Sequence, residues 1–135
     1  MAMYDASEAA AVLSAELGIG GATYTTVTGT HLRLGTGTAP TATSNMTELT
    51  GTGGYSTGGS AISWNAVSGQ TTTSSGSVSW TNSSGGSWSI ANLEIWDTAG
   101  TPLRKFWGQW TSEPIVVTNT SIFLVAAGAV SANLV

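Results

Sequence analysis

The chain has 135 residues, about the length of one ordinary domain, and only seven acidic and three basic residues. That is 7% charged, against about 25% in a typical soluble domain, and the net charge is −4. With so few basic groups, nucleic acid and anionic membrane surfaces are not expected as partners. The absence of cysteine excludes a disulfide framework, a thiolate metal site and a cysteine nucleophile.

Hydroxyl side chains take the place of charge. The sequence contains 22 Thr, 18 Ser and 18 Gly, a composition that on its own would suit a flexible linker. However, it also contains six Trp and is 41% hydrophobic, and its Val, Ile and Trp residues are spaced through the polar ones. This pattern is typical of short strands with uncharged polar outer faces, and it predicts an all-β domain.

Residues 5–18 carry the one convincing helix pattern. Asp5 is placed as the N-cap with Glu8 three positions later, and Gly18 is placed to end the helix. Leu13 and Leu17 share its apolar face, which packs either on its own domain or on a neighbouring subunit. We therefore predict a helical arm over residues 1–22 and a β domain over residues 23–135.

The first half of the β domain alternates clearly in one segment. Leu32 and Leu34 share one face, while His31 and Arg33 share the other, which predicts a strand. Further strands are predicted around residues 61–66 and 77–80. Loops are predicted at 35–43 and 67–76, a loop or a strand edge is predicted at 50–59, and a turn is predicted at 82–86.

The second half holds the strongest hairpin. A strand over residues 88–95, bent near 91–92, precedes a turn at 97–100 and a return strand over 103–110. A strand at 114–117 follows, and residues 122–125 and 129–135 are predicted to close the chain as a second hairpin. About eight short strands without intervening helices predict an antiparallel β-sandwich of the jelly-roll or immunoglobulin-like kind.

A serine-hydrolase motif is present but lies in the wrong setting. Residues 54–58 match G-x-S-x-G, which requires a preceding strand and a following helix, whereas glycines surround this copy. The only histidine, His31, precedes the serine, although the hydrolase order places it last. His31 alone also cannot build a transition-metal site, so no metal or cofactor is expected.

Four carboxylates could in principle supply a glycosidase pair: Glu48, Glu94, Asp97 and Glu113. Two of them lie at predicted turns. Glu94 alternates with Leu93 and Ile95, which predicts that it faces solvent. We therefore predict no catalytic residues and no enzyme activity.

The tryptophans are too numerous for all six to fill one core. Trp96 lies on the same side as Glu94, and Trp107 and Trp110 lie on opposite faces of one strand, so at least one of them is expected to face outward. An exposed tryptophan serves as a sugar-stacking platform or as an anchor in a protein interface. The candidate partner-binding residues are therefore Leu13, Leu17, Trp96, Trp107 and Trp110.

The order of short motifs along the chain resembles a family of small structural proteins from tailed phages of actinobacteria, which are tail-fibre-like or similar to capsid decoration proteins. After the N-terminal helix, the resemblance rests on residues 31–34 (HLRL), 47–50 (TELT), 54–56 (GYS), 93–97 (LEIWD), 107–110 (WGQW), 113–116 (EPIV) and 127–130 (AGAV). It covers nearly the whole chain. The family pattern has a basic or long residue after Gly54 and Tyr55, where this chain has Ser56.

This resemblance implies a non-enzymatic β-sandwich, made in the bacterial host cytoplasm and present in many copies on the virion. The expected partner is the major capsid protein, which the chain would reinforce from the capsid exterior as a dimer or trimer. The alternative is a tail-fibre or tail-tip protein, or a carbohydrate-binding module that contacts the host cell wall.

Overall fold

The computed structural model describes residues 2–4, 10, 13, 17, 30–51, 53–98 and 101–133. In these residues the chain is an all-β, β-sandwich-like protein, as the sequence predicted. The strands are β1 (Ala2–Tyr4), β2 (Thr30–Thr36), β3 (Thr47–Glu48), β4 (Ser60–Ile62), β5 (Thr71–Thr73), β6 (Val78–Thr81), β7 (Trp88–Ile90), β8 (Asn92–Trp96), β9 (Arg104–Gln109), β10 (Ile115–Val117), β11 (Ile122–Val125) and β12 (Ser131–Asn133).

Eight of these strands form one large sheet. Its order is β3-β2-β8-β9-β1-β12-β5, and β4 pairs with β2 beside this path. The centre is antiparallel, with Leu34 opposite Leu93 and Ile95 opposite Phe106. Alternation along β2 places Leu32 and Leu34 on the buried face, as the sequence predicted.

The second layer consists of two separate antiparallel ladders. Strand β6 pairs with β11, and β7 pairs with β10. Their inner side chains join those of the large sheet in one buried cluster, to which Trp80, Trp88, Ile90, Phe123 and Val125 contribute from this layer. Trp80 stacks on Phe123 with ring centroids 6.2 Å apart. Burial of apolar side chains between the layers is therefore what joins them.

The predicted bend near residues 91–92 is where the chain passes from one layer to the other. Strand β7 ends at Ile90 in a ladder of the second layer, and β8 begins at Asn92 in the large sheet. Between them, the Ala91 N–H donates to the Gly35 carbonyl (2.9 Å), and the Ala91 carbonyl accepts from the Trp110 N–H (3.1 Å). The change of sheet explains why the alternation slips at this point.

One predicted strand pairing and one predicted loop were wrong. Strands β11 and β12 do not form a hairpin, because β11 pairs with β6 while β12 pairs with β5 and β1. Strand β5 also lies inside the segment predicted as a loop. It occupies the end of the large sheet and is largely solvated, so its three threonines lack the apolar alternation by which a half-buried strand is recognised.

The N-terminal segment adds a strand that the sequence analysis did not predict. Strand β1 lies between β9 and β12, antiparallel to the first and parallel to the second. Most of the predicted helix 5–18 and the boundary at residues 22–23 lie outside the described residues. Within them, Ala10 and Leu13 are helical, and the Leu17 N–H donates to the Leu13 carbonyl at 3.0 Å.

Two adjacent glycines in the loop before β4 both have left-handed backbone conformations. Gly58 has φ +99° and open space where a Cβ would stand. Gly59 has φ +74°, and a Cβ there would lie 2.0 Å from the Leu32 carbonyl oxygen of β2. Only Gly59 is therefore required for close approach of the loop to the sheet.

We expect Gly59→Ala to destabilise the protein more than Gly58→Ala. Both variants carry the cost of a left-handed alanine, about 1–2 kcal/mol, and Gly59→Ala must also displace the β2 backbone. Urea unfolding followed by tryptophan fluorescence measures the difference. Equal losses of unfolding free energy in the two variants would show that the close contact with Leu32 is not important.

Candidate interaction surfaces

All three basic residues of the chain lie on the large sheet and are paired with carboxylates on it or directly beside it. Arg104 lies 2.9 Å from Glu94, Lys105 lies 3.4 Å from Asp97, and Arg33 lies 3.4 Å from Glu48. The Arg104–Glu94 pair is almost fully buried, whereas the side chains of Arg33 and Glu48 are each 19% exposed. The positive charges are therefore engaged within the fold and do not form a basic surface.

Glu94 is the centre of a buried hydrogen-bond network. Its Oε1 accepts from Arg104 Nη1 (2.9 Å) and from the Met46 N–H (2.8 Å), and its Oε2 accepts from Trp96 Nε1 (2.8 Å). Arg104 also donates to the carbonyls of Ser44 and Thr41, at 2.7 Å each. These bonds hold the loop between β2 and β3 over the outer face of the large sheet.

The prediction that Glu94 faces solvent was therefore wrong. Alternation correctly places Glu94 on the face away from the core, but residues 41–46 cover that face and leave the side chain 2% exposed. Alternation reports which side of a strand a residue occupies. It does not report whether a loop lies over that side.

Glu48 anchors the glycine-rich loop that contains the G-x-S-x-G motif. Its Oε1 accepts from the Tyr55 hydroxyl (2.7 Å) and from the Gly58 N–H (2.6 Å). The Tyr55 oxygen in turn accepts from the Leu34 N–H (3.1 Å). Ser56 is exposed, and the next regular element is the strand β4, so the loop lacks the strand–turn–helix geometry of a nucleophile elbow.

Burial raises the pKa of Tyr55 above its ordinary value near 10, and the neighbouring Glu48 raises it further. Tyr55 is therefore a neutral phenol in the folded protein at neutral pH. Its hydroxyl links β2 to the glycine-rich loop. It accepts from the Leu34 N–H of β2 and donates to Glu48, the carboxylate that anchors the loop.

Of the four carboxylates considered for acid–base chemistry, three are engaged within the fold. Glu48, Glu94 and Asp97 each pair with a base. Glu113 is exposed, and both of its oxygens lie 2.9 Å from Gln109 Nε2. Among the residues that the structure describes, no group of three His, Asp or Glu side chains is placed to hold a metal ion.

The three candidate tryptophans are all half-buried, and they lie on two faces. Trp96 and Trp107 lie on the outer face of the large sheet: Trp96 bonds to Glu94, and Trp107 is opposite Glu94 across the ladder. The Arg33 guanidinium lies 4.2 Å from the centroid of the Trp96 ring, a cation–π contact. Trp110 packs against the core, edge-on to Phe123 at 5.6 Å.

On the described strands, the most exposed large apolar side chains are not the tryptophans but residues of β10 and β11. Ile122 and Leu124 on the outer face of β11 are 65% and 60% exposed, and Val116 on β10 is 61% exposed. Their cross-strand neighbours are Thr81, Ser79 and Ser89. Leu13 and Leu17 are also exposed, at 59% and 64%.

Sequence reasoning missed the exposed residues of β10 and β11, although a clue was present. Residues 122–125 are all apolar, whereas a strand with one face in the core needs apolar residues only at alternate positions. The sequence therefore indicates that both faces of β11 are apolar, and the structure shows that the face carrying Ile122 and Leu124 is exposed.

No protein-family model matches the chain, and no curated protein matches it in sequence. In the part of the chain that the structure describes, no helix is long and apolar enough to cross a membrane.

We expect Glu94→Gln to lower the free energy of unfolding by about 3–5 kcal/mol, because it removes the negative charge that the buried Arg104 guanidinium contacts at 2.9 Å. Chemical denaturation measures the change. Glu113→Gln is the matched control, because Glu113 is exposed and has no cationic partner among the described residues, and it should change stability by less than about 0.5 kcal/mol. Similar stability in both variants would contradict the central role of the Glu94 network.

Tyr55 should also make stability depend on alkaline pH. Because its pKa is higher in the folded than in the unfolded chain, the folded state binds more protons above pH 10. Stability is therefore full below the ordinary tyrosine pKa and falls as pH rises above it. In Tyr55→Phe, denaturation midpoints between about pH 9 and 11 should fall less steeply than in the unmodified protein. Parallel curves would show that Tyr55 does not contribute.

Proposed function

We propose that this protein is a non-enzymatic structural component of a phage virion that binds the major capsid lattice and stabilises it as a decoration protein. The assignment to a virion rests on the sequence resemblance described above. The character of the described surface supports the mode of binding: it is rich in hydroxyls and nearly without charge, and it carries separate exposed aliphatic side chains.

Such a surface favours attachment through apolar burial and hydrogen bonds. The three basic groups are paired within the fold, so they do not form a positive patch that would attract a negatively charged surface. An interface of about 800 Å² on each partner is sufficient for a stable contact, and repetition over a lattice multiplies its effect. Leu13 and Leu17, together with Ile122 and Leu124, are the side chains that we assign to such contacts.

The alternative from the sequence, sugar stacking on an exposed tryptophan, has less support. Trp96 and Trp107 both lie on the outer face of the large sheet, but both are half-buried, and the Arg33 guanidinium already lies over the Trp96 ring. Trp110 packs on the core. A tail or cell-wall role that stacks a sugar on Trp96 would require Arg33 to move away from that ring.

Copy number on purified particles tests the proposal. Quantitative mass spectrometry against the major capsid protein should find hundreds of copies in each particle, whereas a handful would place the protein on the tail. Absence from particles would overturn the virion assignment.

The double substitution Leu13→Glu and Leu17→Glu should reduce the copy number at least about tenfold without unfolding the protein, because it places two charges in an apolar contact. Val67→Glu is the matched control, since Val67 is equally exposed, at 69%, on a different segment. Loss of folding in the double variant, detected by circular dichroism, would place the two leucines in the core of the protein and remove them from the interface.

A further inference from the structure

A cleft of about 340 Å³ lies at the point where the chain crosses between the two layers. Its walls come from the ends of several strands. The lining residues are Gly37, Ser89, Ala91, Gln109, Glu113 and Pro114.

The walls of this cleft are fixed by hydrogen bonds to the backbone. The Ala91 N–H and carbonyl tie the crossing point to Gly35 and Trp110. The fully buried Asn92 donates from Nδ2 to the carbonyls of Gly37 (3.1 Å) and Thr38 (3.0 Å), which holds the Gly37 wall in place. The Gly37 and Ala91 side of the cleft is thus held by hydrogen bonds before any ligand arrives, and Glu113 and Pro114 on the other side lie in the segment between β9 and β10.

The polar groups in the cleft form a coupled pair. Gln109 Nε2 lies 2.9 Å from each oxygen of Glu113, so the amide and the carboxylate are held side by side. The carboxylate retains free lone pairs, and the amide retains its carbonyl oxygen and a further N–H. Ser89 adds a hydroxyl, and Ala91 and Pro114 supply apolar surface.

We propose that this cleft binds a neutral polyhydroxylated ligand, namely a sugar residue. Neighbouring sugar hydroxyls donate to a carboxylate and accept from an amide, which is the pair that Glu113 and Gln109 present. The C–H groups of the ring would lie against Pro114 and Ala91. No basic side chain lines the cleft, so an anionic ligand has no counter-charge there.

This site differs from the tryptophan platform considered above and does not depend on the capsid proposal. Its sugar could be free or part of a glycan, and the recognition chemistry is the same in both cases. Oligosaccharides distinguish the two sources, because a glycan site gains affinity when neighbouring residues are added.

The test is a ¹H–¹⁵N NMR titration of the full chain with methyl glucoside, methyl galactoside and N-acetylglucosamine, followed by a linear oligosaccharide of whichever sugar binds. We expect at least one sugar to shift the Gln109 side-chain amide at millimolar concentration. Gln109→Ala should weaken that binding about tenfold, because it removes a hydrogen-bonding partner of the ligand and of Glu113. Gln70→Ala is the matched control and should bind normally, since Gln70 is exposed on another loop.

Calcium and methylammonium titrations complete the test. If either cation shifts the cleft resonances while no sugar does, and Glu113→Gln removes the effect, the site is a cation site and the sugar proposal is wrong. Sugar shifts that persist unchanged in Gln109→Ala would also overturn it. Ser89→Ala, at an exposed position, provides a second variant if Gln109→Ala proves unfolded by its amide dispersion.

Discussion

The buried pair of Glu94 and Arg104 is the interaction on which the outer face of the large sheet depends. Removing both charges from water is costly, and the cost is offset only when their remaining lone pairs and protons are satisfied. Here the Met46 N–H, the Trp96 indole and two carbonyls of the β2–β3 loop supply those partners. The hydrogen bonds to the ion pair hold the loop in place, and the same bonds compensate the two charges for the water that they lose.

This arrangement also determines what the rest of the surface can do. A chain with three basic residues that pairs all of them on one sheet has no positive patch with which to attract a partner. The exposed hydroxyl side chains are uncharged and in contact with water. The exposed apolar residues Ile122, Leu124 and Val116 lie among them. The described part of this surface therefore offers a partner hydroxyl groups and apolar side chains rather than positive charge.

The sequence correctly predicted the strands that short-range patterns specify, such as alternation or a turn between two apolar segments. Period-two alternation found β2, and turn chemistry with two apolar strands found the hairpin of β8 and β9. Pairing between distant segments left no such mark: β11 joins β6 across about forty residues, and β5 consists of threonines that need no apolar face. The cleft could not be predicted from the sequence either. Ser89 is distant in sequence from Gln109 and Glu113, and the fold brings the three together where the chain crosses between the layers.

The exposed aliphatic residues of the second layer differ in how close they lie to the proposed sugar site. Val116 is the cross-strand partner of Ser89, and Ser89 lines the cleft, so a protein seated on Val116 would cover the rim of the sugar site. Ile122 and Leu124 belong to the other ladder, which shares no residue with the cleft. Attachment through β11 therefore leaves the cleft open to a ligand, whereas attachment through β10 makes particle binding and sugar binding compete.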